Sequence, residues 1–379
     1  MVLPAIHIER RTDPKHVAWY RLGAALIALA IAVALLPLFV SGGGSGLYSQ
    51  LWSGTFGSAY GLQSVFILAA PLILTGLAAS IPYRMGLWNI GGDGQMYIGA
   101  WLANAIAVSL PHTSGALLVP LMLVSSVVGG ALWILVPALA RAYLGVNEII
   151  TTLMLNFVGL YWLTYWASGP WAEPNIVGGV LSKPIPTQAD LVNVGLGPVS
   201  VHWGFLLAVG LGVVMAVAVR RTRMGFELPI LSRSPAAARY AGIPTRRRMV
   251  QVLLIGGAMA GLAGAVEMMG NIHQYAASIS NNTGYSGIAV AILASGSELG
   301  VVAVGILFAG VLAGNTVLTT LNVSAGVSTG VFGAVLLCSA IGDGIARFHV
   351  SLGRPAAALD DPESTSEVAS PERVGEPAA

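Results

Sequence analysis

The stretch Ser64-Val-Phe-Ile-Leu-Ala-Ala-Pro-Leu-Ile-Leu-Thr-Gly-Leu-Ala-Ala-Ser-Ile81 carries no charge, and it closes an uncharged run that begins at residue 22 and ends at residue 83. About 20 apolar residues cross a bilayer as a helix, so this run has room for two crossings. Working outward, 94–140, 149–172, 191–219, 268–297 and 299–342 also lack Asp, Glu, Lys and Arg. Of 379 residues, 55% are hydrophobic and 9% charged, whereas a soluble domain carries about a quarter charged residues. A water-soluble fold is excluded. The expected fold is all-α, a polytopic transmembrane helical bundle of about ten spans.

The spans are placed at 19–40, 64–81, 94–110, 116–140, 149–167, 204–220, 249–269, 284–297, 301–321 and 326–346. With the N-terminus inside, Lys183 is the only Lys or Arg on an outer loop, as the positive-inside rule requires. Both termini are therefore expected in the cytoplasm. Residues 1–18 form an N-terminal tail, 19–347 the transmembrane domain, and 348–379 a disordered tail rich in Pro, Ala, Ser and Glu. The extracytoplasmic loop 168–203 is stiffened by Pro170, Pro174, Pro184, Pro186 and Pro198. Cys338 is the single cysteine, so no internal disulfide forms.

Two segments depart from ordinary spans. Met85-Gly-Leu-Trp-Asn-Ile-Gly-Gly-Asp-Gly-Gln95 places four glycines, an Asn and an Asp at the start of the third span, and the eighth span is short and bracketed by Gly284, Gly287 and Gly296. Broken helices at membrane depth need protein or water around their backbone. One in each half of a chain points to a transport site at a repeat interface. Glycine pairs Gly257/Gly261, Gly310/Gly314 and Gly326/Gly330 would allow close helix approach, although 48 glycines produce such pairs by chance as well.

The cytoplasmic loop 220–248 holds eight arginines, with Glu227 its only acid. It reads as a topology anchor that also touches anionic lipid. Its middle has a second reading: Ser234 can cap a helix, Pro235 suits the first position, Ala236 to Ala241 propagates, and Gly242 can end it in a left-handed conformation. Such a helix suits a groove on another protein. No phosphate-binding loop surrounds Lys15 or Lys183, and no catalytic or metal motif is present, so neither catalytic nor metal-binding residues are assigned, and no cofactor is expected.

Candidate pathway residues lie in the first break. Asn89 and Gln95 offer neutral amides that bond hydroxylated solutes while exchanging with water. Asp93 could contact solute or hold the broken helix. Trp88 and Trp101 could stack on a sugar or base ring, or face lipid or core. Glu148 and Glu267 read as helix-end groups, Glu298 as an acid satisfied by solvent, and His273, Gln274, Asn281 and Asn282 as outer-loop polar residues.

Three motifs in order, Gly86-Leu-Trp-Asn-Ile-Gly-x-x-Gly-Gln95, Ala236-Ala-x-Arg-Tyr-Ala-Gly-Ile243 and Gly284-x-x-x-Ile-Ala-x-Ala-Ile-Leu293, resemble those of ABC-importer permeases of the branched-chain amino acid and ribose class, especially the simple-sugar and nucleoside members. The resemblance covers nearly all of residues 20–347. It implies a multi-pass permease of the bacterial inner membrane, partnered by a separate ATPase subunit, an extracytoplasmic solute-binding protein, a second identical or paralogous permease and the bilayer, with no nucleic acid. It also implies an ATPase-coupling role for Ser234, Pro235, Ala236, Ala237, Arg239, Tyr240, Ala241, Gly242 and Ile243. The alternative is an ion-coupled secondary transporter, which requires an ionisable residue at mid-membrane, and Asp93 is the candidate.

Overall fold

A computed structural model describes residues 46–321 apart from Val177, the segments 5–10 and 348–353, and scattered helical positions within 23–34 and 326–341. The expected first and tenth spans are described only at those scattered positions, and most of both tails lies outside the described residues. A short helix between the expected first and second spans, α1 (Leu47–Gly54), comes first. It is followed by α2 (Ala59–Arg84), α3 (Gly92–Ser109), α4 (Gly115–Leu139) and α5 (Glu148–Ser168). The second half has α6 (Trp203–Arg221), α7 (Arg223–Arg233), α8 (Pro235–Tyr240), α9 (Thr245–Glu267), α10 (Thr283–Leu293) and α11 (Glu298–Thr320). Single π turns, Ala140–Leu144 and Met268–Ile272, prolong α4 and α9. Six of these helices, counting the π turns, are long and apolar enough to cross a membrane: α2, α4, α5, α6, α9 and α11.

The fold is mostly helical rather than purely so. Strands β1 (Ala5–Arg10), β2 (Leu181–Pro184), β3 (Asn193–Leu196), β4 (Val199–His202), β5 (Gln274–Ala276) and β6 (Phe348–Gly353) form three antiparallel pairs, β1 with β6, β2 with β5, and β3 with β4. The loop 168–203 therefore carries strands besides its prolines. Gly197, at φ 67°, makes the turn of the β3–β4 hairpin, a conformation glycine adopts without a Cβ clash.

Helix ends follow local chemistry. The Ser58 hydroxyl accepts from Gly61 N at 3.0 Å to start α2, and Gly86, at φ 77°, follows its end. At about 1.5 Å per residue α2 is roughly 39 Å long, enough to span a bilayer, whereas α10 is about 16 Å and reaches only halfway. The short α10 is the expected second break.

Helix α9 is the centre of the bundle and packs on α2, α3 and α4. Lipid supplies no hydrophobic drive between spans, so close approach of small residues does that work. A Cβ on Gly261 would lie 2.3 Å from Ser126 O and 2.8 Å from Gly130 Cα, and one on Gly257 would lie 2.5 Å from Gly130 O. The Gly257/Gly261 pair is thus a backbone contact surface. Gly310 packs on the Phe56 ring, while Gly314 meets nothing closer than 3.7 Å. The pair Gly326/Gly330 lies among the sparsely described positions.

Candidate functional site: two broken helices and a basic loop

Gly86 takes φ 77°, and residues 87–91 have no regular secondary structure before α3 begins at Gly92. A non-helical backbone there needs partners, because hydrocarbon supplies none. Asn89 Oδ1 accepts from Gly91 N at 3.2 Å and from Gln95 Nε2 at 2.8 Å, and Asn89 Nδ2 donates to Gln95 Oε1 at 3.0 Å. Glu148 Oε1 accepts from Trp88 N at 3.3 Å. Asn156, on α5, accepts from Gly94 N at 2.8 Å and donates to Ile90 O at 2.8 Å. The broken backbone is bonded by Asn89 of the break itself and by Glu148 and Asn156 of α5, with Gln95 of α3 bracing Asn89.

The second break arrives at the same place. Asp93 Oδ1 accepts from Gly284 N at 2.7 Å and from the Ser280 hydroxyl, and Asn156 Nδ2 donates to the Tyr285 hydroxyl at 3.0 Å. A Cβ on Gly92 would sit 2.9 Å from Gly284 Cα, so the N-termini of α3 and α10 touch. Both helix N-termini carry partial positive charge. A carboxylate between them is favourably placed.

The five expected pathway residues occupy three environments. Asn89, Asp93 and Gln95 are buried and bonded as above. Trp88 packs edge-on against Tyr83 at 5.4 Å and, with Asn89, lines a small cleft walled by Ala79 and Tyr83 of α2 and by Ile288, Ala291 and Ile292 of α10. Trp101 lies two helical turns from Asp93, in an aromatic cluster with Trp162, Trp166 and Trp171 that Tyr275 extends. The structure thus brings Trp88, Asn89, Asp93 and Gln95 together, while Trp101 stands apart. Sequence reasoning missed Asn156, Ser280 and Tyr285. A signal for Asn156 existed: Glu148, Thr152, Asn156, Gly159 and Leu163 are buried at helical spacing on α5, marking an inward small and polar stripe.

The expected helix in the basic loop is present. The Ser234 hydroxyl accepts from Ala237 N at 3.3 Å, Pro235 occupies the first turn, and Gly242 has φ 71°. Ser234, Pro235, Ala236, Ala237, Arg239, Ala241 and Gly242 are exposed, and Tyr240 is 98% exposed. Ala238 and Ile243 are the anchors: they join an apolar cluster with Leu228 and Leu231 of α7, Ile81 at the end of α2, and Met85 and Leu87 beside the first break. One face of α8 is open, and the other is packed continuously to the break.

Glu227 ties this platform to α9, accepting from Arg248 Nε at 2.6 Å and from Arg223 Nε at 2.6 Å. The Arg248 bond, with Arg223 adding to it against the cost of burial, holds its carboxyl below the usual range. A lowered folded-state value contributes stability above the unfolded value of about 4.3 and loses it as pH falls through the folded value. Detergent-solubilised protein should therefore lose thermal stability below about pH 4, and Glu227→Gln should flatten that dependence in a melting series. Glu298, expected to rest on solvent, is buried and receives both Arg84 Nε at 2.7 Å and Arg84 Nη2 at 2.8 Å. The turn carrying Glu298 is screened from water, so arginine replaces solvent as its partner. Glu148 pairs with Arg141 at 3.0 Å. His273 Nδ1 lies 2.7 Å from Asp190 Oδ1, while His273, Asn281 and Asn282 take positive φ at turns.

Apolar spans, two helix breaks meeting in one buried polar cluster, and an exposed capped helix seated on that assembly define a membrane transport permease. The chain belongs to the family described as branched-chain amino acid transport system / permease component, whose model matches residues 61–340. It is similar to a glucose ABC transporter permease protein of Haloferax volcanii, 35% identical over 82% of this chain and 85% of that protein. It is also similar to a guanosine ABC transporter permease protein of Bacillus subtilis, 33% identical over 76% and 83% of the two chains. A nucleoside ABC transporter permease protein of Lactococcus lactis is 30% identical over 69% and 74%. The protein is accordingly a multi-pass membrane transport subunit.

Proposed function

We propose that this chain is the translocation subunit of an ATP-driven importer for a simple sugar or nucleoside. A separate ATPase subunit docks on α8, an extracytoplasmic binding protein delivers solute, and a second permease, identical or paralogous, completes the pathway. The observation that carries the reading is the pairing of the exposed α8 surface with an unbroken apolar contact from Ala238 and Ile243 to Met85 and Leu87. Movement of α8 reaches the first break through packed side chains. Relatives named for glucose, guanosine and nucleosides support the solute class.

In this reading the chain has about ten spans with both ends in the cytoplasm. The antiparallel pairing of β1 with β6 supports placing the two ends on one side. The first break, with Trp88, Asn89 and Gln95, forms the pathway wall, Asp93 holds that wall to α10, and the cleft against α10 is where solute passes. Trp101 and its aromatic neighbours form the outer rim. Ser234 to Ile243 receives the ATPase, with Arg239 and Tyr240 the projecting side chains. Polybasic flanks hold the loop against the anionic inner leaflet.

A cysteine at position 240 in a Cys338→Ser background tests the docking surface. A short thiol crosslinker should join Tyr240→Cys to the ATPase subunit in membranes, and a cysteine at exposed Val214 on α6 should give no such product. Equal crosslinking from both positions would remove the docking assignment.

A further inference from the structure

Asn156 makes contacts that no solute-handling role accounts for: one side chain bonds Gly94 N, Ile90 O and the Tyr285 hydroxyl, so α5, the first break and α10 share it. Beside it the Asp93 carboxylate holds Ser280 and Gly284, and the Thr75 hydroxyl on α2 donates to Thr283 O at 3.2 Å. We propose that Asn156, Asp93, Ser280 and Tyr285 form a clasp that joins the two broken helices into one rigid body, and that this body moves as a unit during transport. The inference rests on the transport reading above and assigns positioning, rather than solute-binding, roles to these four residues.

Separating α3 from α10 would strip the Asp93 carboxylate of both donors and leave the Gly284 N–H without that acceptor at membrane depth. An unsatisfied buried polar group is costly, and a charged one more so. The Gly92–Gly284 backbone contact leaves no room between the helices for a solute ring. The neighbouring edge differs: Trp88 and Asn89 line a small cleft with Ile288, Ala291 and Ile292 of α10. The helices are pinned at the clasp. Sliding the two breaks past one another is thereby disfavoured, and rotation of the joined pair is what the packing from α8 can drive.

The test uses vesicles holding the complete transporter with its ATPase and binding protein, comparing uptake of labelled glucose and guanosine. Asp93→Ala and Asn156→Leu should lower maximal uptake by about tenfold or more, as leaving buried hydrogen-bonding groups unsatisfied implies, with KM unchanged. Asp93→Asn should retain most uptake, because an amide oxygen accepts the same two bonds. Tyr285→Phe, which keeps the ring and removes only the hydroxyl, should lower maximal uptake about two- to fivefold and serves if the harsher variants fail to fold. Normal uptake by Tyr285→Phe would overturn the clasp. So would an Asp93→Asn variant as inactive as Asp93→Ala, which would make charge the requirement, or a rise in KM without loss of maximal rate, which would make these residues solute ligands. Wild-type vesicles without ATP-dependent uptake of either solute would overturn the transport reading itself, and the clasp with it.

Discussion

Replacing Gly261 with leucine is expected to leave almost no folded protein in extracted membranes. The Cβ alone would stand 2.3 Å from Ser126 O and 2.8 Å from Gly130 Cα, both backbone atoms of α4 that cannot rotate away. The contact between α4 and α9 would have to open along its length, and with it the seat of Gly257 against Gly130. Overpacking a well-filled core costs about 1–3 kcal/mol when side chains can move. A backbone collision exceeds that range, against a total stability of about 5–15 kcal/mol. Size-exclusion profiles of a fluorescent fusion should show aggregate only. Gly210→Leu on α6 is the control: no atom lies within 4 Å of its Cβ position, and its profile should match wild type.

The second large effect is expected at Gly242, where uptake should fall while insertion stays intact. Its Cβ position meets nothing within 4 Å, so a side chain there is limited by backbone conformation rather than space. At φ 71° a residue with a Cβ is strained by about 1–2 kcal/mol, which corresponds to roughly 5–30-fold in an equilibrium. Valine adds β-branching and should relieve that strain by shifting the turn that links Tyr240 to Ile243. Gly242→Val should therefore hydrolyse ATP in the assembled complex with little accompanying uptake. Asparagine tolerates the left-handed region, so Gly242→Asn should couple nearly normally. Loss of uptake in the asparagine variant alone would contradict the conformational explanation.

Local signals made α8 readable from sequence. Ser234, Pro235 and Gly242 act within a few residues of themselves, and cap, first turn and terminator all lie where those residue types favour them. The first break was readable for the same reason, since four glycines and two amides within Met85 to Gln95 cannot continue a helix unaided. What makes that break stable was not readable. Asp93 meets Ser280 and Gly284 across nearly 200 residues of chain, and Glu298 meets Arg84 over a similar separation. No periodicity within one helix encodes which partner will arrive from another. The strands of the outer loop were hidden likewise, because β2 finds its partner in β5, beyond α9. Asn156 was the recoverable omission: its spacing from Thr152 and Gly159 marks the inward face of α5, and an amide on such a face requires a partner.

The energy source is the point on which an importer subunit and an ion-coupled carrier differ most sharply. The measurement is uptake of labelled glucose or guanosine into vesicles containing this chain, its ATPase and its binding protein, with ATP trapped at the ATPase face and the proton and sodium gradients collapsed by ionophores. Uptake that requires ATP and persists without either gradient is predicted. Uptake that proceeds without ATP and disappears when a gradient is collapsed would contradict the account.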